Sequence, residues 1–309
     1  MSPMFRHDAG LYDGDEGLLS LLVPFAQDGA AAGEPLVFAL HDRHADLLRP
    51  ALAGTPGITF LPFAYACPAA AIRALLDLFE GQAAGAGGPM RIVGEVYEPT
   101  LATWEPWARY EAAVNRLYAD FDVWALCAYD TRTTPDEVLD DVVCTHPRIA
   151  TAGRSCLPSD SYQSPERFLA ARPEPPADPL ERMPPALELI DPGAATARRA
   201  VADLASQYGC LPHEQIDSLS FGLSEAVTNA HLHGRPPVWL RLWGAPDRIH
   251  AAVTDAGAGL TDPFAGLRPA AAPGKHGGGL GLWISHLICD QVTHAHRPDG
   301  FTVRLTARA

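Results

Sequence analysis

Three side chains near the end of one helical pattern combine a carboxylate, an amide and an imidazole at regular spacing. Glu225, Asn229 and His233 are four residues apart, so they share one face of a helix. The carboxylate of Glu225 can accept a proton or orient a nucleophile. The amide oxygen of Asn229 is a hard ligand of the kind that Mg²⁺ takes together with phosphate oxygens. This helix face therefore predicts a site for a metal ion and a reacting hydroxyl or water.

Two glycine-containing segments follow this helix along the chain. Asp255 comes directly after a predicted strand and is followed by Gly257 and Gly259. A carboxylate at a strand end can accept a hydrogen bond from an exocyclic amine, and glycines let the backbone approach a flat ring or a ribose. Residues 277–281 are all glycine except Leu280 and precede an apolar helix, whose first backbone N–H groups would form an anion site. Each segment alone is common in turns, but the three in this order are specific.

The periodicity of apolar residues predicts the elements that position these segments. In the second half of the chain it indicates helices at 192–207, 213–233 and 280–288, and strands at 238–243, 249–254, 292–296 and 301–306. Pro212 can open the second helix, and Gly234 with Pro236 ends it. Helices packed on one face of a largely antiparallel sheet form an α+β sandwich.

Residues 187–309 resemble the GHKL ATPase superfamily, which has the Bergerat ATP-binding fold, because the three segments are similar to its N, G1 and G2 boxes. The most similar branch is that of the anti-sigma-factor serine/threonine kinases, whose ATP lid is short, as are the 17 residues 260–276 here. The resemblance implies that Glu225 is the catalytic base, that Asn229 holds Mg²⁺ and that Asp255 binds the adenine amine. The further residues that it implies at the nucleotide are His233, Gly257, Gly259, Lys275, Gly277, Gly279, Leu280, Gly281 and Thr302.

The first half of the chain alternates short apolar runs with longer helical patterns. The runs predict strands at 36–40, 58–61, 91–96 and 123–129. The helical patterns lie at 18–32, 44–52, 68–83, 104–120 and 135–144. This alternation predicts an α/β domain with a mostly parallel sheet and right-handed crossovers.

The first half also resembles a known family, the MEDS sensory domain, over residues 6–149. The motifs that carry the similarity are Phe5-Arg6-His7, Leu11-Tyr12, Ile92-Val93-Gly94-Glu95, Arg109-Tyr110-Glu111, Leu126-Cys127-Ala128-Tyr129-Asp130 and Thr145-His146-Pro147. The resemblance implies a RecA/KaiC-like fold without a phosphate loop, and a sensory domain over 1–152 that receives an unidentified small-molecule or protein signal. Nine of the 29 prolines lie from Pro158 to Pro192, which predicts an extended linker over 153–186 before the ATP-binding domain at 187–309.

The composition excludes several classes of protein. The chain has 309 residues and a mass of 33.0 kDa, with 23 Lys and Arg against 37 Asp and Glu, so its net charge is −14. Such an acidic chain is a poor binder of nucleic acid or of an anionic membrane. No apolar stretch is long enough to span a bilayer, and residues 1–10 show no secretory signal. Six scattered cysteines without a CxxC pair argue against a zinc ribbon and fit reduced thiols in the cytoplasm.

Two motifs suggest other kinases or ATPases, and their spacing argues against both. Lys275 has no glycine before it at the Walker A spacing and no Ser or Thr after it, which argues against a phosphate loop. His213 is followed by a glutamate, as in a phosphoacceptor box, but it lies twelve residues before Glu225. That spacing leaves no room for a helical-hairpin phosphoacceptor domain, so a kinase of this kind must act on another chain.

Two groups of histidines leave alternatives open. His294 and His296 share one face of a strand, but without a third ligand they are more typical of a surface than of a metal site. His7 and Glu95 either line a ligand pocket in the first domain or are an exposed imidazole and a strand-end carboxylate.

Two classes of function agree with these observations. The first is an enzyme, a serine/threonine kinase that phosphorylates a STAS-type anti-sigma-factor antagonist and thereby regulates transcription under the control of the sensory domain. The second is a non-catalytic switch that sequesters a sigma factor with ATP as a structural ligand. A histidine-kinase-like protein without its own phosphoacceptor domain is a further alternative. A homodimer is compatible with each.

Overall fold

The chain forms two compact units, Met1–Ala171 and Arg172–Ala309, in a computed structural model. The structure describes residues 5–62, 67–85, 88–96, 104–151, 156–209, 211–262, 264–267, 280–297 and 300–309. None of the helices in these ranges is long and apolar enough to cross a membrane.

The first unit is an α/β sheet flanked by helices. Its strands are β1 (Arg6–Tyr12), β2 (Leu36–Leu40), β3 (Ile58–Pro62), β4 (Met90–Gly94), β5 (Val123–Asp130), β6 (Arg148–Thr151) and β7 (Leu157–Pro158). Its helices are α1 (Gly14–Ala31), α2 (Asp42–Ala51), α3 (Pro68–Ala84), α4 (Glu105–Leu117), α5 (Asp136–Thr145) and α6 (Pro165–Ala171). The strand order is β3-β2-β4-β5-β1-β6-β7, and every neighbouring pair except β6–β7 is parallel. The prediction of a mostly parallel sheet is confirmed.

A central strand of this sheet, β1, was missing from the predicted elements. It carries His7 and Asp8, which are only 3% and 1% exposed, so its sequence does not read as an apolar run. Burial of a polar side chain is tolerated where it has a partner. Asp8 Oδ2 accepts a hydrogen bond from Trp124 Nε1 at 2.8 Å across the β1–β5 pair. Tertiary partners therefore hold this polar strand in the core.

The second unit is an α+β sandwich, as predicted. Its strands are β8 (Leu187–Ile190), β9 (Trp239–Ala245), β10 (Arg248–Asp255), β11 (Gln291–Arg297) and β12 (Gly300–Arg308). They form an antiparallel sheet in the order β11-β12-β10-β9-β8. The helices α7 (Ala194–Tyr208), α8 (His213–His233) and α9 (Leu280–Ile288) accompany it. Leucines and valines of α7 and α8 pack on inward-facing residues of β9, β10 and β12 to form the core.

The proline-rich stretch is not a single extended linker over 153–186. Residues Pro165–Ala171 form α6, whose Phe168 and Leu169 are buried in the first unit. Residues 172–186 belong to the second unit. They contact Trp243, His250 and Arg304, whose strand neighbours, and not they themselves, belong to the core under the helices. Glu181 pairs there with His250 at 3.1 Å and with Arg304 at 2.5 Å. The prolines do prevent a long helix, but polar contacts with the sheet hold most of this segment in place.

Candidate functional site

A cavity of about 350 Å³ lies beside α8 in the second unit. Side chains of α8, the inner face of β10 and β12, the loop after β10 and the first turns of α9 line it. Val253, Val303 and Leu305 form an apolar wall, because alternate residues of an antiparallel strand point to the same face. The volume is within the range of a small-molecule site.

Helix α8 contributes the polar row predicted from its spacing. Glu225, Asn229 and His233 all line the cavity. Glu225 and Asn229 are half-buried, and His233, at the last turn, is exposed. The opposite face of α8 buries Leu219, Leu223 and Val227 completely, which fixes the rotation of the helix and turns the polar row toward the cavity.

Asp255 ends β10 at the wall of the cavity and is 6% exposed. Its Oδ1 accepts backbone hydrogen bonds from Arg235 at 3.1 Å and from Gly257 at 2.7 Å. These bonds hold the carboxylate in one orientation. Within the described part of the chain, Oδ2 has no hydrogen-bond donor, so it remains an acceptor for a ligand.

Two glycines beside Asp255 allow this arrangement. A Cβ on Gly234 would lie 2.4 Å from the Asp255 carboxylate, so the chain can pass the end of β10 only without a side chain there. The sequence alone predicts only that Gly234 ends α8. The close approach of Gly234 to Asp255 is visible only in the tertiary structure. Gly257 donates its N–H to Asp255 but does not itself line the cavity.

Gly259 and Phe301 close one side of the cavity together. Gly259 lines it with a φ of 76°, and a Cβ there would lie 2.3 Å from the ring of Phe301. Phe301 is a lining residue that the sequence analysis did not include in the site. Its place in the site follows from the strand register, since Phe301 pairs with Asp255 across β12 and β10, and no local sequence pattern indicated this.

Thr302 does not reach the cavity, and its predicted place at the nucleotide is therefore corrected. The lining residues of β12 are Phe301, Val303 and Leu305. Thr302 is 2% exposed and points to the opposite face of the sheet, where its Oγ1 lies 2.9 Å from Thr254 Oγ1. A difference of one residue along a strand moves a side chain to the other face.

The first turn of α9 meets the carboxylate of α8. A Cβ on Gly281 would lie 2.0 Å from Glu225 Oε2, so the Glu225 carboxylate is in contact with the helix backbone there. Leu280 begins α9 and is 52% exposed. Lys275, Gly277 and Gly279, which were predicted to approach the phosphates, lie outside the described residues.

The structure decides between the alternatives that the sequence leaves open for His296, Glu95 and His7. His296 pairs with Glu174 at 3.5 Å and is half exposed, in agreement with a surface position. Glu95 is buried, where it accepts hydrogen bonds from the Tyr12 hydroxyl and from the His41 backbone N–H and contacts His44. His7 is 3% exposed, so the alternative of an exposed imidazole is wrong.

His7 lies against Glu111 instead of Glu95. Burial, followed by the charge of His146, lowers the pKa of His7. Burial raises the pKa of Glu111, but the neighbouring imidazoles of His146 and His7 outweigh it and hold that pKa well below its usual range. Glu111 is therefore an ionised carboxylate in the interior of the first unit.

Comparison with known families identifies both units. Residues 6–147 match the family described as MEDS, the methanogen/methylotroph, DcmR sensory domain. Residues 191–307 match the family described as the histidine kinase-like ATPase domain. No curated protein matches the chain.

Solved structures that match include histidine kinases. The mycobacterial sensor histidine kinase MprB is 14% identical, with a TM-score of 0.27, over 40% of this chain and 96% of that chain. The histidine kinase domain of the E. coli osmosensor EnvZ is 16% identical, with a TM-score of 0.24, over 41% of this chain and 91% of that chain. The chain joins a MEDS sensory domain at residues 6–147 to a GHKL-type, histidine kinase-like ATPase domain at residues 191–307.

Proposed function

We propose that the second unit is a regulatory protein kinase that transfers the γ-phosphoryl group of ATP to a Ser or Thr of another chain. The substrate is a STAS-type anti-sigma-factor antagonist, and the phosphorylation state of that antagonist determines whether a sigma factor is sequestered. The first unit controls the reaction in response to its signal. The observation that carries the proposal is the cavity of about 350 Å³ that Glu225, Asn229 and Asp255 line together.

Adenine fits the part of the cavity that is formed by Asp255 and the apolar wall. The Oδ2 atom of Asp255 can accept a hydrogen bond from the exocyclic amine, because two backbone N–H groups already occupy Oδ1. Val253 and Val303 offer apolar contact to the flat ring. A carboxylate that meets a donor in an apolar surrounding favours adenine over a purine with a carbonyl at the same position.

The other part of the cavity suits a magnesium triphosphate. Asn229 would hold Mg²⁺, which when bound neutralises charge on the phosphate oxygens. The start of α9 at Leu280 supports anion binding, since the first backbone N–H groups of a helix have no partner within it.

Glu225 is the residue that handles the proton. As the substrate hydroxyl oxygen bonds to the γ-phosphorus, its proton passes to the Glu225 carboxylate and the bond to the leaving ADP oxygen breaks. The contact with the backbone of Gly281 restricts where this carboxylate can lie. A carboxylate whose position is restricted beside the phosphate region supports a catalytic role over a purely structural use of ATP.

The position of His213 supports a substrate on another chain. His213 is the first residue of α8, the helix that also carries Glu225. Twelve residues of helix separate the two Cα atoms by about 18 Å along the axis. His213 therefore cannot receive the phosphoryl group within its own cavity.

The first test concerns nucleotide binding. Asp255→Asn presents an amide donor to the adenine amine, and an unpaired buried group costs about 1–3 kcal/mol, so the affinity for Mg·ATP should fall about tenfold to a hundredfold. Isothermal titration calorimetry measures this, with Asp247→Asn as the control because Asp247 is 63% exposed in the β9–β10 turn. Equal affinities for wild type and a folded Asp255→Asn would refute the adenine assignment.

The second test separates binding from catalysis. Glu225→Gln should keep ATP affinity but lose about 10²–10⁴ in the rate of phosphoryl transfer to a purified antagonist. Asn229→Ala should lower Mg²⁺-dependent binding as well. An acid-stable phosphoprotein indicates Ser or Thr, whereas an acid-labile product indicates histidine. ATP binding without transfer to any antagonist would favour the non-catalytic switch.

A further inference from the structure

Four potential metal ligands from four different elements meet inside the first unit. They are His7 of β1, Glu111 of α4, Cys127 of β5 and His146, the residue after α5. All four side chains are buried, and their ligand atoms lie within 4.8 Å of one another. The cluster is separate from the nucleotide cavity and has no part in the proposed phosphoryl transfer.

The spacing of the ligand atoms agrees with a tetrahedral metal shell. Bonds of about 2.0–2.3 Å to Zn²⁺ separate neighbouring N and O ligands by about 3.3 Å, and N from S by about 3.5 Å. Glu111 Oε2 lies 3.1 Å from His7 Nε2 and 3.2 Å from His146 Nε2. Cys127 Sγ lies 3.4 Å from His7 Nε2. The cluster therefore needs little rearrangement to surround one ion.

The outer nitrogens of both imidazoles are already used as donors. His146 Nδ1 lies 2.9 Å from the carbonyl oxygen of Val142, which can only accept, so Nδ1 carries the hydrogen. His7 Nδ1 lies 3.3 Å from Asn115 Oδ1. The Asn115 amide nitrogen donates to the Thr145 carbonyl at 2.9 Å, so its oxygen must face His7.

Both Nε2 atoms then direct lone pairs toward the same carboxylate oxygen. His146 Nε2 and Glu111 Oε2 are buried and make no hydrogen bond within the described residues. Several acceptors that face one another in the interior need a cation between them. A proton on His146 Nε2 joins it to Glu111 Oε2, and the Cys127 thiol can donate to His7 Nε2, but these two bonds leave the four groups in separate pairs. A metal ion satisfies all four groups at once.

We propose that this cluster binds Zn²⁺ through His7 Nε2, His146 Nε2, Glu111 Oε2 and Cys127 Sγ. Two imidazoles, one carboxylate and one thiolate suit a borderline-soft ion, and the two anionic ligands neutralise its double charge. The hydrogen bonds of Val142, Asn115 and the Tyr129 hydroxyl, which donates to Glu111 Oε1 at 3.0 Å, orient the ligands as outer-shell partners do in zinc proteins. Four protein ligands leave no open position, so the ion ties β1 to α4, β5 and the end of α5.

Cobalt provides the spectroscopic test, because Co²⁺ takes the same tetrahedral ligands. The full chain is treated with a chelator, dialysed and titrated with CoCl₂ while the near-ultraviolet and visible spectra are recorded. We expect a single equivalent of Co²⁺ to bind, with a thiolate charge-transfer band and intense visible bands that ZnCl₂ removes. A folded wild-type chain that takes up neither ion overturns the proposal and leaves a protonated imidazole–carboxylate pair.

Two cysteine-to-serine variants test whether Cys127 is the sulfur ligand of the metal ion. Cys127→Ser should abolish the charge-transfer band, whereas Cys144→Ser, whose thiol accepts from Gln163 in the same unit, should leave it unchanged. An identical band in Cys127→Ser overturns the assignment. Asn115→Ala tests the orienting shell and should weaken Zn²⁺ binding about 10–100-fold in a competition titration. Unchanged Zn²⁺ affinity in Asn115→Ala would contradict the orientation argued for His7.

Discussion

Gly281 and Glu225 illustrate how a residue without a side chain can determine the position of a side chain for which we propose a catalytic role. A Cβ on Gly281 would lie 2.0 Å from Glu225 Oε2, well inside van der Waals contact. The obstructed atom is the end of a flexible side chain, so the carboxylate would move and the fold would not. The position of the carboxylate therefore depends on this glycine.

Gly281→Ala should lower the rate of phosphoryl transfer and leave stability unchanged or slightly higher. A misplacement of about 1 Å in a reacting group can cost about a hundredfold in rate, whereas alanine is a better helix former than glycine by up to about 1 kcal/mol. Kinase assays and thermal unfolding measure the two effects. Gly193→Ala is the matched control, because a Cβ on Gly193 would meet nothing within 4 Å. A wild-type rate in Gly281→Ala would show that the Glu225 carboxylate tolerates displacement.

At the scale of elements, the segment 172–186 acts as a cover on the outer face of the second sheet. Trp243 Nε1 donates to the Met183 carbonyl at 2.9 Å, and the Ala186 backbone N–H donates to the Leu242 carbonyl at 2.8 Å. Arg304 on this face is 3% exposed, and the carboxylate of Glu181 forms an ion pair with its guanidinium group. The cover therefore satisfies a buried charge in the strand that also lines the nucleotide cavity.

Glu181→Gln should destabilise the second unit in a pH-dependent way. Burial raises the pKa of Glu181, but hydrogen bonds from His250 and Arg304 outweigh it and lower that pKa from 4.5 to about 2. An acid whose folded pKa is depressed stabilises the fold above its unfolded pKa, and this contribution is lost as the pH falls through the folded pKa. The variant should lose about 2–3 kcal/mol at pH 7 and clearly less at pH 3.

Urea unfolding at both pH values measures this difference. Glu188→Gln serves as the control, because Glu188 pairs with Arg241 at the surface with 42% of its side chain exposed. Exposed pairs contribute about 0–1 kcal/mol. Equal destabilisation by the two variants, or a loss at pH 3 as large as at pH 7, would contradict the role given to Glu181.

At the scale of the whole molecule, each unit has its own hydrophobic core. The cores are formed by separate sets of residues, one within β1, α1, β2, β4 and β5 and the other within α7, α8 and the antiparallel sheet. A domain with its own core can fold alone. The boundary after Ala171 also marks where a cut removes no residue of the second unit.

A fragment of residues 172–309 should fold and bind Mg·ATP as the full chain does. A fragment of residues 187–309 lacks the cover, so it loses the ion pair of Glu181 with Arg304 and exposes the outer face of the sheet, and it should unfold at a lower temperature. Circular dichroism melts and calorimetric titration of the two fragments compare them. If the shorter fragment were as stable as the longer one, the cover would be dispensable.

Removal of the first unit should also change the control of the kinase. For a signal to regulate the reaction, it must favour one state by a coupling free energy, typically about 1–3 kcal/mol, which corresponds to about 5–150-fold in affinity. Transfer rates of the full chain and of residues 172–309 on the same antagonist, with and without cell extract, reveal such a coupling. Identical rates under every condition would show that the first unit does not regulate the reaction.

The sequence by itself determined the features that depend on local periodicity. The four-residue spacing of Glu225, Asn229 and His233 placed them on one face of α8, because a helix repeats every 3.6 residues. The alternation of strands and helices predicted the mostly parallel sheet, and the helices and strands predicted in the second half led to the largely antiparallel one. Local patterns therefore predict whether each sheet is parallel or antiparallel, because each element must bury one face.

Only the tertiary structure decided features that depend on register and on distant partners. The pairing of Phe301 with Asp255 turns Phe301 to the cavity and Thr302 away from it, because strand side chains alternate. The polar strand β1 and the cover at 172–186 were missed, because contacts with remote residues, and not their own periodicity, hold them in place. The cluster of His7, Glu111, Cys127 and His146 was invisible for the same reason, since its members are neighbours only after four elements have packed together.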